Sequence, residues 1–125
     1  MATTTSKLMT FAEFEQLPDT PQGFPYELRH GELVKMAPPK FEHTEVQWRL
    51  RDLLQNAAGE LGVATIEFGF RPLPEYEFRV ADVVFISNAR RKVTDPKGYF
   101  QGAPEIVIEV LSPSNTVGGM VDKRL

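Results

Sequence analysis

From His43 onward, Val46, Leu50, Leu53, Leu54, Ala57 and Leu61 recur at intervals of three and four. That is the spacing of an amphipathic helix, which the pattern ends near Gly62. A shorter helix is predicted near the start. Thr10 and Glu13 have capping-box spacing, Phe11, Phe14 and Leu17 supply a short apolar face, and Pro18 stops it. "DTPQGFP" is a turn or loop, after which "YELRHGELVKM" alternates on both sides of His30-Gly31 and predicts a β-hairpin, interrupted by "APPK". "VATIEFGFRPL" and "EYEFRVADVVFIS" read as strands, and "NARRKVTDPKGYFQGAP" as a turn-rich connection. "EIVIEVLS" is the most apolar strand, expected in the buried middle of a sheet. Val117, Val121 and Leu125, with Met120 beside them, begin a further helix, with Asn115 as its candidate cap. The sequence of elements predicts a mixed α/β or α+β sheet protein. At 125 residues it is expected to be a single domain spanning 1–125, with residues 1–9 disordered.

Composition narrows the function classes only modestly. Hydrophobic residues make up 42% and charged residues 25%, an ordinary soluble balance. No apolar run approaches the roughly 20 residues of a membrane span. The polar start "MATTTSK" lacks an apolar signal core, so a cytoplasmic, bacterial-type setting is expected, with no membrane partner. The absence of cysteine excludes disulfides and thiolate metal sites. A net charge of −3 excludes coating of nucleic acid by bulk charge, and the clusters Arg90-Arg91-Lys92 and Arg49/Arg51 read first as solvated surface.

The candidate chemistry lies in two acids where acids are unexpected. Glu109 interrupts the apolar run of Ile106, Val107, Ile108, Val110 and Leu111, and Asp82 interrupts "RVADVVFI". A buried carboxylate costs several kcal/mol unless it is neutralised, paired or bound to a metal. Either acid alone is read as a strand-end carboxylate paired to Arg79 or Arg71. Two acids on neighbouring strands would instead hold a hard cation such as Mg²⁺, which needs only one or two carboxylates and can activate water for phosphoryl chemistry. A lysine two residues after Glu109 would share its face, but Leu111 stands there. Lys123 on the following helix is the next candidate, against a solvated lysine beside Arg124. Glu27 and Glu32 flank the hairpin turn. Glu32 is the favoured one to reach a site, with a solvent-facing glutamate the close alternative. His43 reads as a residue of the helix cap region and Trp48 as packing. Gly118-Gly119 lacks the spacing of a phosphate loop.

The segments "YELRHGELVKMAPPKFEH", "FRVADVVFI", "GAPEIVIEVLSPSNT" and "DKRL" together resemble the Uma-type restriction endonucleases of the PD-(D/E)XK nuclease superfamily. The resemblance runs in order from about Thr10 to Leu125, and "GAPEIVIEVLSPSN" is its most specific part. It implies a restriction-endonuclease-like core with Mg²⁺, or Mn²⁺ in its place, held by Asp82, Glu109 and the backbone carbonyl of Val110. It implies Lys123 as the migrated counterpart of the superfamily lysine. Glu32, and after it Glu27, match the acidic hairpin positions, and His43 the histidine after the proline-rich turn. The implied activity is Mg²⁺-dependent hydrolysis of DNA phosphodiester bonds. Two departures stand out. Ala81 replaces the usual proline before the aspartate, and the family pattern continues beyond Leu125 through further elements, expected to be missing here. The alternative is therefore an inactive, truncated module that binds nucleic acid or protein, and homo-oligomerisation through an exposed sheet edge is expected.

Overall fold

The computed structural model describes residues 7–18, 26–73 and 75–111. Helix α1 (Phe11–Glu15) starts with the anticipated capping box: Glu13 N–H donates to Thr10 Oγ1 at 3.2 Å, and Thr10 N–H donates to Glu13 Oε1 at 2.9 Å. Strands β1 (Tyr26–Arg29) and β2 (Glu32–Lys35) form the antiparallel hairpin. His30 and Gly31 both have positive φ, at 50° and 79°, as a two-residue turn matching the twist of its strands requires. Helix α2 (Phe41–Ala58) and a single 3₁₀ turn lead into β3 (Gly62–Arg71). Strand β4 (Arg79–Ser87), helix α3 (Asn88–Lys92), β5 (Phe100–Gln101) and β6 (Ile106–Ile108) complete the described chain. The stretch read as a turn-rich connection also contains a short helix and a short strand. The predicted last helix and Lys123 lie outside the described residues. Among those residues, no helix is long and apolar enough to cross a membrane.

The main sheet has the order β5-β3-β4-β6. β4 runs antiparallel to both β3 and β6, and β5 lies parallel to β3. Its centre is β4, where Ala81, Val83, Val84, Phe85 and Ile86 are all buried. One core cluster gathers Phe70, Ala81, Val84, Ile86 and Phe100. Complete burial of a side chain of Val or Phe size is worth about 1.5–3 kcal/mol, so this strand anchors the fold. The expectation for "EIVIEVLS" requires correction. β6 lasts three residues and stands at the sheet's edge, with Ile106 42% and Val107 41% exposed. Its apolar run cannot bury both faces because only β4 pairs with it among the described residues.

The long helix exists, but only part of its apolar stripe, including half-buried Leu50 and Leu54, turns inward, and polar side chains make the bonds to the sheet. Leu53 and Leu61 are 67% and 73% exposed, while His43, Gln47, Arg51 and Gln55, at strict four-residue spacing, all bond to it. The cause is the edge of β3, which β5 covers only at Phe70 and Arg71. Farther up, backbone groups of β3 need other partners. Arg51 Nε donates to Ala64 O at 3.0 Å, Ala64 N–H donates to Gln55 Oε1 at 2.9 Å, and Gln55 Nε2 donates to Gly62 O at 3.1 Å. A helix covers an open edge here with side-chain hydrogen bonds rather than leucines.

The hairpin is fastened to the sheet by a reciprocal latch. Leu28 and Phe78 exchange both backbone hydrogen bonds at 2.8 Å. On one side Glu27 takes Arg29 (Oε1 to Nη2, 2.7 Å) and the N–H of Val80 (2.8 Å). On the other, Glu77 takes Arg79 (Oε1 to Nη2, 2.8 Å) and the N–H of His30 (2.6 Å). Each Glu-x-Arg segment thus clamps the backbone of the other. Leu28 and Phe78 pack between them with Phe11 and Val80. Gly69 has to be glycine, because a Cβ there would meet the Phe78 ring at 2.6 Å.

Candidate active site

Asp82 lies on β4 under the first two turns of α2. The four-residue step from His43 to Gln47 puts both side chains on one face of that helix. His43 Nε2 is 3.1 Å from Asp82 Oδ1, and each of these side chains is 18% exposed. Gln47 Nε2 donates to the backbone carbonyl of Asp82 at 3.3 Å and approaches Oδ1 at 3.4 Å. From the chain just beyond β6, the N–H of Val110 donates to Oδ2 at 2.7 Å. The acid within the apolar run is therefore tolerated because donors surround it on three sides.

Glu109 follows the end of β6. The β4–β6 ladder ends with Ile108 opposite Val83, so Glu109 and Asp82 are each the next residue beyond its last pair. Glu109 is only partly buried. The arginines considered as partners for a lone strand acid are engaged in other contacts: Arg79 with Glu77, and Arg71 over the Phe11 ring at 3.6 Å. Across the other edge of β4, the ladder omits the pair formed by Asp82 and Glu67. Glu67 has φ 48°, a conformation uncommon for any side chain but glycine. At this break the Asp82 carbonyl accepts from Gln47.

The structure thus brings His43, Gln47 and the Val110 N–H onto Asp82, with Glu109 next to Val110 in the chain. Glu27 is wholly buried, and its two oxygens accept from Arg29 and Val80, which makes it a fastening residue. Glu32, favoured over it on sequence, stands exposed on β2 and outside the hydrogen bonds around Asp82. Trp48, read as packing, is 50% exposed with its ring edge-on to Phe41. Sequence reasoning missed Gln47. The available signal was a polar residue one helical turn after His43, in a stretch whose other polar positions 51 and 55 repeat the same step.

Gln47 also carries an unusual feature. The side chain is 1% exposed, and its Oε1 has no hydrogen-bond partner among the described residues. A buried acceptor left unsatisfied costs about 1–3 kcal/mol. Two open depressions elsewhere, one lined by Thr10, Phe11 and Tyr99 and the other by Glu67, Arg91 and Asp95, contain neither Asp82 nor His43.

Residues 11–125 match the family model "Uma2: Putative restriction endonuclease". The chain belongs to the Uma2 family. A solved structure gives the same fold: a protein from Anabaena variabilis ATCC 29413, described as a putative nuclease belonging to DUF820, superposes with a TM-score of 0.71 at 20% identity. The match covers 90% of the present chain and 64% of that one, so this Uma2 chain spans less than two thirds of its neighbour's length. No curated protein matches it.

A divalent cation is the group such a nuclease fold implies. Among the described residues, no three acidic or histidine side chains are already gathered as a metal cage. Asp82 and Glu109 carry oxygens of the kind a hard cation takes, and Gln47 Oε1, without a partner among the described residues, is an acceptor suited to a coordinated water. This arrangement fits a cation that keeps most of its hydration shell, as Mg²⁺ does, rather than one enclosed by protein ligands.

Proposed function

We propose that this chain carries a Mg²⁺-dependent endonuclease site that hydrolyses DNA phosphodiester bonds, with Mn²⁺ able to substitute. The observation that supports it best is the setting of Asp82, whose carboxylate is held by His43 and by the N–H of Val110, the residue after Glu109. Asp82, Glu109 and the carbonyl of Val110 would hold the cation. When bound, it would lower the pKa of a water and stabilise charge on the phosphoryl group. In the reaction, a water oxygen forms a bond to phosphorus, the P–O3′ bond breaks, the water gives up a proton, and the 3′ oxygen takes one up.

The chain's own residues do the positioning. His43 bonds one oxygen of Asp82 and the Val110 N–H the other, so the carboxylate cannot rotate freely. β4, buried along most of its length, keeps Asp82 fixed, and Glu109, just past the end of β6, is half-buried. Lys123, outside the described residues, is the proposed residue to orient or activate the water.

The test is nicking of supercoiled plasmid by the native chain in Mg²⁺ and in Mn²⁺, beside Asp82→Asn and Glu109→Gln. Metal-dependent nicking by the native chain alone is the expected result. Equal nicking by all three proteins would assign the activity to a contaminant. A metal-binding native chain that does not nick would favour the second reading, a nucleic-acid-binding module without cleavage.

A further inference from the structure

Gln47 and Gln55 lie two turns apart on the same stripe of α2, and they are satisfied very differently. Gln55 uses both ends of its amide. Its Nε2 donates to Gly59 O and Gly62 O, and its Oε1 accepts from Ala64 N–H. Gln47 uses one end only. Its Nε2 meets Asp82 O and Oδ1, while Oε1 is buried with no partner among the described residues. A flipped amide would not remedy this. Both atoms facing Gln47 on Asp82 are acceptors, so the nitrogen has to point at them and the oxygen has to point away.

From this contrast we infer that Gln47 is a positioning residue whose Oε1 accepts a hydrogen from a water coordinated to the divalent cation at Asp82 and Glu109. A donor belongs at that oxygen, because buried acceptors in folded proteins are satisfied by protein or water. A cation-bound water is the donor that the neighbouring carboxylates would supply, since Mg²⁺ retains water when only one or two carboxylates hold it. The same amide steadies Asp82 through its nitrogen and the hydrated ion through its oxygen. Gln47 thereby couples ligand orientation to hydration. This rests on the proposed metal site, and the experiment separates the two.

Mn²⁺ binding is followed by loss of the electron paramagnetic resonance signal of free Mn²⁺, with thermal melting run in parallel, on the native chain, Gln47→Met, Gln55→Met and Asp82→Asn. Losing a partner that orients metal ligands or their waters typically weakens metal affinity about 10–100-fold. Gln47→Met is expected to bind Mn²⁺ at least about tenfold more weakly while its metal-free melting temperature changes little, because the unsatisfied buried oxygen and the Nε2 donor to Asp82 are removed together. Gln55→Met is expected to show the opposite pattern, a lower melting temperature with unchanged Mn²⁺ affinity. Native-like Mn²⁺ affinity in Gln47→Met, with binding still lost in Asp82→Asn, overturns the role of Gln47 and leaves the metal site standing. Equal, negligible binding by the native chain and Asp82→Asn overturns both.

Discussion

Two groups of shielded carboxylates lie within a few residues of each other on this chain, and they are compensated in opposite ways. In the latch, Glu27 and Glu77 each meet an arginine and a backbone N–H. Around Asp82, the hydrogen-bonding partners are an imidazole, an amide and an N–H. A carboxylate already matched by a guanidinium has little left to offer a ligand. One ringed by weaker donors keeps more for a cation. The contrast explains how one sheet carries a fastening and a candidate site only two residues apart, at Val80 and Asp82.

The largest effect should come from breaking the latch. Glu77 and Arg79 are 2% and 1% exposed, so Glu77→Leu leaves a guanidinium buried without its carboxylate. Breaking one side of a buried pair typically costs about 3–5 kcal/mol, whereas replacing both partners by apolar residues is often neutral. Urea denaturation should therefore show a severe loss for Glu77→Leu and substantial recovery in the double variant with Arg79→Leu. If the double variant is as unstable as the single one, the pair is not the source of the effect.

Asp82→Asn should behave in the reverse manner. Without metal, the asparagine retains an oxygen for the Val110 N–H, and metal-free stability should change by less than about 1 kcal/mol, since one neutral hydrogen bond replaces a charge-assisted one. With Mn²⁺ at one hundred times its dissociation constant, the native chain should gain about 2.7 kcal/mol and the variant almost nothing. A metal-free collapse of Asp82→Asn comparable to that of Glu77→Leu would erase the distinction between fastening and site.

Much of this was legible in the sequence, and the failures share a cause. The capping box of Thr10 and Glu13 and the His30-Gly31 turn depend on local spacing or on alternation along a strand. The face of α2, the exposure of β6 and the roles of Glu27 and Glu32 depend on which edges the sheet leaves open and how the hairpin docks. Periodicity cannot report those. Leu53 fits an apolar stripe perfectly well, yet the open edge of β3 selects Arg51 and Gln55 for the interface. Gln47 was hidden for the same reason, being a polar residue within a helix read for its leucines.

A third carboxylate tests how far the comparison extends to the surface. Glu105 ties the start of β6 to the N-terminus of α3. The Ser87 side chain, its backbone N–H at 3.2 Å and the Arg90 guanidinium at 3.5 Å hold its carboxyl below the ordinary glutamate range, against a smaller opposing effect of burial. Because the folded-state value is depressed, the stabilisation is present above the unfolded-state value and is lost as pH falls through the folded-state one. Glu105 is about a third exposed, so solvent screening limits its worth to under about 1 kcal/mol. The native chain should melt slightly above Glu105→Gln near neutral pH, and the gap should close in strong acid. A gap that persists unchanged in acid would mean that the glutamine alters packing rather than charge. Compensation by an arginine would then matter to this fold only where water is excluded, as it is in the latch.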